Sequence, residues 1–378
     1  MNIFPISIGQ GGNQLCNSFI NNIEANIDNL PYNNIFKQQN SIELYNNRFY
    51  IDTETKVINS NFSNITTNNK DLNIIYNNYG RGSNWAMGYS LEYKEKEKSN
   101  INIDISDKLK KYIEKLDFIE GFHLFNSLTG GTGSGVTSRT IETLRDEYPK
   151  SVIINSCIIP FEIENNTLSL YNQLLYIAHN YDLIDYIVPL NNNTIIEYIN
   201  SKDEKSKLNY NAINNLYCKN LVNCLYSEKY KKTSIFKDYI EDCTFSKYSI
   251  FNKIKFIDLF ELKYNSVNDI ETTISSTIKK IIKLFNINLN SIYCLNLYNK
   301  SNLSINNDKI FENIKTIKSI DNKKLYKFDT SYSNIQNKSK DFKNNYNYNY
   351  SYLSIKSNNY ENLLKNLISK VLIKLNSK

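Results

Sequence analysis

Phe122-His123-Leu124-Phe125-Asn126-Ser127-Leu128-Thr129-Gly130-Gly131-Thr132-Gly133-Ser134-Gly135 joins an apolar run to four glycines within six residues. The first half reads as a buried strand and Thr129–Gly135 as a loop. A helix is predicted next: Val136, Ile141, Leu144 and Tyr148 recur at near-helical spacing, Glu142 and Arg145 should pair on its outer face, and Pro149 should end it. A strand, a glycine-rich loop and a helix N-terminus aim free N–H groups at an anion. Two familiar phosphate motifs are excluded. No Lys-Ser/Thr follows the last glycine, as a Walker A loop requires, and the spacing is not Gly-x-Gly-x-x-Gly. What remains is phosphate binding by main-chain N–H groups and hydroxyls.

Outward from this stretch the design repeats. All eleven glycines of the 378-residue chain fall at or before Gly135, ten of them in three clusters. Glycine leaves no Cβ between main chain and ligand, so such clusters beside apolar runs suggest loops around phosphate. At the N-terminus the short strand Ile3 to Ile8 precedes Gly9-Gln10-Gly11-Gly12-Asn13-Gln14, and Leu15, Phe19 and Ile23 carry a helix away. Between the two units lies Tyr79-Gly80-Arg81-Gly82-Ser83-Asn84-Trp85-Ala86-Met87-Gly88-Tyr89, with the single tryptophan of the chain. The three loops are expected to converge on one ligand at strand C-terminal ends. Arg81 would put a positive charge where phosphate would lie. Trp85 reads equally well as a packing residue beneath its loop.

These motifs, Gly-Gln-x-Gly-Asn-Gln at 9 to 14, Gly-x-Gly-x-Asn-Trp-Ala-x-Gly at 80 to 88 and Gly-Gly-Thr-Gly-Ser-Gly at 130 to 135, resemble the tubulin superfamily in kind, order and position. The resemblance is best to about Glu241. It implies an α/β fold, with a Rossmann-type GTPase domain over 1–208, a central helix over 209–228 and a smaller α+β intermediate domain over 229–378. It also implies GTP or GDP with Mg²⁺ as cofactors. Gly9, Gln10, Gly11, Gly82, Ser83, Asn84, Gly130, Gly131, Thr132, Gly133, Ser134 and Gly135 would surround the phosphates, and Gln14 would face the nucleotide. Asp52 and Glu54 would position the metal, a hard cation that prefers oxygen. Asn172 follows the ribose loop. Asn192 and Asn214 would read guanine and Tyr210 would stack on the base.

The sequence departs from the family at several points. Gly11 stands where cysteine is usual, Ser83 where asparagine is, Ser169 where the ribose acid is and Phe236 where an asparagine is. The helix face Ile213, Leu216, Tyr217, Leu221 and Leu225 matches the central helix and leads to Asp238-Tyr239-Ile240-Glu241. By resemblance, Glu241 would orient a water and Asp238 would assist against the nucleotide of a neighbouring subunit, so that hydrolysis requires assembly. An Asp-x-x-Glu spacing alone reads as a solvated helix face. The alternatives are therefore an assembly-dependent GTPase, a non-hydrolysing structural subunit or cap that binds GTP or GDP for stability, and a vestigial site.

Asp117 to Phe122, Lys56 to Asn59, Gly82 to Ser90 and Tyr171 to Ile195 look most like the delta-type members of the family. That implies a cytoskeletal protein of centrioles, basal bodies, cilia or axonemal microtubules, partnered by other tubulins (alpha, beta or the same chain) or by centriolar proteins. The chain stops after Lys378 without the usual two outer helices and acidic tail, so a role as a motor track is not expected.

Composition sets further bounds. Six cysteines (Cys16, Cys157, Cys218, Cys224, Cys243, Cys294) show no metal-knuckle spacing, and reduced buried thiols in a cytoplasmic protein are expected. No basic leader and no membrane-length apolar window stand out. A net charge of +7 is unusual for a tubulin. It follows from lysine-rich stretches rather than a nucleic-acid motif, and suits the acidic tails of other tubulins. Towards the C-terminus, a helix from Ile270 to Phe285, strands at Ile292–Tyr298 and Tyr346–Ile355, and a final helix through Leu364, Leu367, Ile368, Val371 and Leu375 are predicted.

Overall fold

The computed structural model describes residues 3–26, 48–55, 73–91, 100–114, 119, 121–162, 166–193, 195–196, 209–225, 256–264, 272, 275–277, 279, 292–299, 327–332, 349–357 and 360–376. The chain divides into two compact units: Met1–Asn21 with Gln39–Asn215 and Tyr360–Lys378, and Asn22–Gln38 with Leu216–Asn359.

In the first unit, β1 (Ile3–Ile8), β2 (Phe49–Asp52), β3 (Asn73–Tyr76), β4 (Gly121–Ser127), β5 (Val152–Ile159) and β6 (Tyr186–Asn191) form a parallel array in the order β3-β2-β1-β4-β5-β6. Parallel strands covered on both faces are apolar throughout. Accordingly, β2 is buried along its whole length and β4 along all but its last residue. The order runs outward from β1 in one direction and from β4 in the other. The crevice beyond their carboxyl ends is thus the topological switch point where α/β sheets take ligands.

The helices are α1 (Gly9–Asn26), α2 (Trp85–Tyr89), α3 (Ile101–Ile113), α4 (Thr137–Glu147), α5 (Thr167–Asn180), α6 (Tyr210–Leu225) and α7 (Tyr360–Asn376); α1 beyond Asn21 and α6 beyond Asn215 belong to the second unit and the rest to the first. Two begin earlier than the sequence suggests. α1 starts at Gly9, directly off β1, at a φ of +76° that glycine tolerates and L-residues rarely adopt. The third cluster is no open loop: Gly131–Val136 forms a π-helical turn that runs into α4. In both cases the glycines supply the first turn of the helix, where N–H groups have no intrahelical partner.

Leu15, Phe19, Ile141 and Leu144 are buried, as their spacing predicts. α4 ends at Glu147, with Tyr148 out of helical geometry ahead of Pro149. The expected Glu142–Arg145 pair does not form. Arg145 reaches instead to Asp185 (2.7 Å) and to the carbonyls of Leu183, Pro149 and Ser151, while Glu142 takes Arg139 (2.8 Å) and the Tyr89 hydroxyl (2.7 Å). A guanidinium that can use most of its donors on a carboxylate and three carbonyls gains more than an exposed helix pair offers.

α7 packs on α5, and Lys370 meets Glu162 at 2.7 Å. Leu367 and Val371 are buried, but Ile368 is exposed. In the second unit, β10 (Asn349–Ser357) lies antiparallel between β7 (Phe256–Tyr264) and β8 (Ile292–Asn299), with β9 (Lys327–Tyr332) parallel to β8. β8 and β10 match the predicted strands. The predicted Ile270–Phe285 helix lies largely outside the described residues. Among those described, no helix is long and apolar enough to cross a membrane.

Candidate functional site

Two adjoining cavities open at the switch point. The larger, about 380 Å³, is lined by Gly9, Gln10 and Gly11 from the start of α1, Asp52 and Glu54 after β2, Arg81, Gly82 and Ser83, and Thr129 with Gly130–Gly133. All three glycine clusters therefore meet one space, together with the acidic segment. The smaller, about 120 Å³, is lined by Gln14, Ile158, Pro160, Asn192, Tyr210 and Asn214. Ser127 and Thr129 line both, so the two form a trench with a main-chain-rich end and an amide-rich end.

Asp52 leaves the end of β2 and is 3% exposed. Its carboxylate accepts the Glu54 N–H (3.3 Å) and the Asn13 amide (3.4 Å). Burial, with Glu54 adding to it, pushes its pKa up to about 6 against the opposing hydrogen bonds from the Thr53 and Glu54 N–H groups and Asn13. A carboxylate so desolvated gains from a cation. Among the described residues no three His, Cys, Asp or Glu side chains gather as a closed metal site. Two carboxylates beside a phosphate-sized cavity suit Mg²⁺, which takes few protein ligands and fills its shell with phosphate oxygens and water.

Asn13 was not singled out from sequence, although it sits inside the first motif. Wholly buried, it accepts the Ser7 hydroxyl (2.6 Å) and donates to the Ile51 carbonyl (3.3 Å) as well as to Asp52, so it fixes the Asp52 end of β2 on β1. Thr53 was missed too. Its hydroxyl meets that of Thr132 at 2.5 Å and ties the acidic segment to the π-turn.

Four expected contact residues do not line the trench. Asn84 caps α2 by accepting the Ala86 N–H (2.9 Å). Ser134 turns its hydroxyl to the Gly130 carbonyl (2.5 Å), and Gly135 backs onto α2. Asn172 is a clamp: its amide donates to the carbonyls of Ser83 (2.7 Å) and Thr129 (2.6 Å) and its oxygen accepts the Trp85 N–H (2.9 Å). It holds the second and third clusters together from behind. Ser169 lies in the first turn of α5, hydrogen-bonded to Gln173. Trp85 is a packing residue, stacked on Tyr89 at 4.7 Å with its indole N–H on Ser138 (2.9 Å).

At the amide-rich end, Asn192 and Asn214 are each 4% exposed. Tyr210 is exposed, its ring 6.0 Å from that of Phe161. An open aromatic face above two buried amides is a site for a flat, hydrogen-bonding ring. Asp238 and Glu241 lie outside the described residues. Cys16, Cys157 and Cys218 are buried and in no disulfide.

A parallel α/β sheet whose switch-point crevice is walled by three glycine clusters, two carboxylates and an amide-rich recess, with no P-loop lysine, has the build of a nucleotide-binding domain. Residues 2–200, more than half of the chain, match the model of the Tubulin/FtsZ family, GTPase domain, and the chain belongs to that family. Tubulin delta chains are among the similar proteins. That of Macaca fascicularis is 31% identical over 149 residues, 38% of this chain and 32% of the relative; that of Homo sapiens is 34% identical over 116 residues, 31% and 24%. A nucleomorph tubulin gamma chain of Guillardia theta is 31% identical over 161 residues, 42% and 36%. The chain thus spans about a third of the length of the curated relatives it matches.

Proposed function

We propose that this chain binds guanine nucleotide with Mg²⁺ and acts as a delta-tubulin-like cytoskeletal subunit at centrioles, basal bodies or axonemal microtubules. One observation carries the reading: all three glycine clusters and the acidic segment line one cavity, continuous with a recess holding Asn192, Asn214 and Tyr210. In this reading main-chain N–H groups of residues 10–11 and 130–133 hold the phosphates, and Asp52 and Glu54 hold the cation directly or through water. Bound Mg²⁺ would neutralise phosphate charge. Asn192 and Asn214 pair with the guanine edge, Tyr210 covers the ring, and Gln14 closes the inner wall.

Asp238 and Glu241 would supply, from a neighbouring subunit, the acids that position a water, so turnover rises with assembly. Partners are other tubulins or centriolar proteins. The alternative of a subunit that keeps nucleotide without turnover is favoured by Ser169. Where the family places an acid beside the ribose, this chain has a hydroxyl engaged within α5.

The test is to purify the chain under mild conditions, denature it and identify released nucleotide by ion-exchange chromatography. About one guanine nucleotide per chain is expected. None, even after incubation with GTP and Mg²⁺, refutes the reading. Specific GTPase activity that climbs with protein concentration selects the assembly-dependent enzyme, and flat, negligible activity selects the locked subunit.

A further inference from the structure

Arg81 is the sole positively charged side chain among the described residues lining the larger cavity, and it is only 4% exposed. At such depth its charge is little screened by water and acts strongly on whatever occupies the cavity. Its surroundings are built from two loops. The Arg81 carbonyl accepts the Asn84 N–H (3.0 Å), closing a turn whose middle residues, Gly82 and Ser83, both have positive φ, +55° and +51°. A serine there is strained and persists only where its surroundings fix it; the Asn172 amide, donating to the Ser83 carbonyl, does so. On the other side, a Cβ on Gly131 would come within 2.8 Å of the Arg81 Cβ. The stem of Arg81 thus lies directly against the third glycine cluster, the one that lacks the lysine of a P-loop.

The position along the trench is also defined. Gly11 borders the amide-rich recess, since a Cβ there would meet Ile158 at 3.3 Å and Ser127 at 3.4 Å. Arg81 belongs to the other end. It shares the cavity wall with Asp52 and Glu54, and its neighbour Gly80 lies where a Cβ would be 3.6 Å from a Glu54 oxygen. A nucleotide with its base in the recess would bring its last phosphate to this end.

We propose that Arg81 determines phosphate number: its guanidinium binds the terminal phosphoryl group of a nucleoside triphosphate, so the site prefers triphosphate to diphosphate. The inference rests on the reading of the trench as a nucleotide site. The planar fork suits two phosphoryl oxygens at once, and the desolvated setting strengthens the contact. Asp52 and Glu54 would repel the same phosphoryl group, and a cation bound to them together with Arg81 reverses that sign. Loss of a charge-assisted contact of this kind corresponds to about a 10- to 100-fold weaker affinity.

The experiment measures dissociation constants of the full chain for fluorescently labelled GTP and GDP in Mg²⁺, for the wild type, Arg81→Ala, Arg81→Gln and Arg81→Lys, with circular dichroism to show that each is folded. GTP should weaken about 10- to 100-fold in Arg81→Ala and Arg81→Gln, GDP should shift by less than about 3-fold, and Arg81→Lys should keep part of the preference. Equal losses for both nucleotides would make Arg81 a structural residue and overturn the proposal, as would an unchanged ratio or a wild type without preference. Should Arg81→Ala not fold, the Gln and Lys variants decide the same question. A wild type that binds neither nucleotide refutes the nucleotide reading itself.

Discussion

Replacing Gly135 by alanine places a methyl group in a seam made of backbone. A Cβ there would lie 2.1 Å from the Trp85 carbonyl oxygen and 2.8 Å from both the Gly88 Cα and the Tyr89 nitrogen. Gly88 faces back with the same tightness, 2.1 Å from the Gly131 oxygen and 3.0 Å from the Gly135 Cα. No side chain can swing away, so α2 must separate from the π-turn. Overpacking of this kind costs about 3 kcal/mol. Alanine returns up to about 1 kcal/mol of helix preference over glycine. The net loss is then about 2 kcal/mol, or a fall in Tm of roughly 4–8 °C for a domain of this size. Gly130 provides the control: nothing lies within 4 Å of a Cβ at that position, and its φ of −87° suits any L-residue. Gly130→Ala should stay within about 0.5 kcal/mol of the wild type. The assay is calorimetric or urea unfolding of both variants freed of any bound nucleotide, so that ligand contacts do not enter. Equal Tm values for the two would refute the packing argument.

Asn172→Ala strands the Ser83 and Thr129 carbonyls and the Trp85 N–H, and should cost about 3 kcal/mol in urea unfolding; Asn172→Asp should do no better, since a carboxylate oxygen would face one or both carbonyls. Wild-type stability in both would remove the clamp. His123, fully buried between Phe19 and Phe125 and bonded to Ser156, has its pKa pushed down to about 3 by burial. Because the unfolded chain binds this proton at a pKa near 6.5, the stability of neutral His123 is complete above that pH and declines towards pH 3, by up to about 1.4 kcal/mol per pH unit. His123→Leu should therefore flatten the pH dependence of unfolding in that window relative to the wild type, and parallel curves would contradict the assignment. Burial raises the thiols of Cys16 to about 11 and Cys157 to about 12, so neither should react with a thiol reagent at pH 8 before unfolding, as mass mapping of the labelled cysteines would report.

What the sequence revealed was local. β1 and β4 are mainly apolar runs, and the first and third glycine clusters follow them within three residues, so strand, turn and helix could be read within a dozen or so residues. Their extent was harder to read. Glycine argues against helix, yet in α1 and the π-turn the missing Cβ atoms let the first turns open onto the cavity. Contacts across the chain left little trace. Arg145 finds Asp185 rather than its helix neighbour, and the three partners of Asn172 are 43 to 89 residues away. Asn is so frequent in this chain that a structural Asn such as Asn13 or Asn172 does not stand out by type.

α5 shows why pattern reading fails most where the site is made. Beside the buried Leu170 and Ile177 it buries a polar stripe: Asn172, Tyr176 and Asn180, spaced four apart, are at most 1% exposed, while Leu168 and Leu175 are 39% and 42% exposed. An amphipathic helix normally turns its apolar face inward. Here the surface beneath the helix is made of glycine loops, which present carbonyl and N–H groups instead of side chains, and only polar residues can satisfy those groups away from water. Asn172 takes the second and third clusters. The Tyr176 hydroxyl donates to Asn155 (2.9 Å), Asn155 to Asn126 (2.7 Å), and Asn126 to the Gly133 carbonyl (2.7 Å). Asn180 donates to Ser138 (2.7 Å), which also receives the Trp85 indole and donates to the Ser134 carbonyl. Three successive turns of one helix thereby fix the back of the loops whose front faces the cavity. With these carbonyls engaged behind, the proposed nucleotide site would hold its loops in place before an anion arrives, so that the ordering cost of binding would be met in folding.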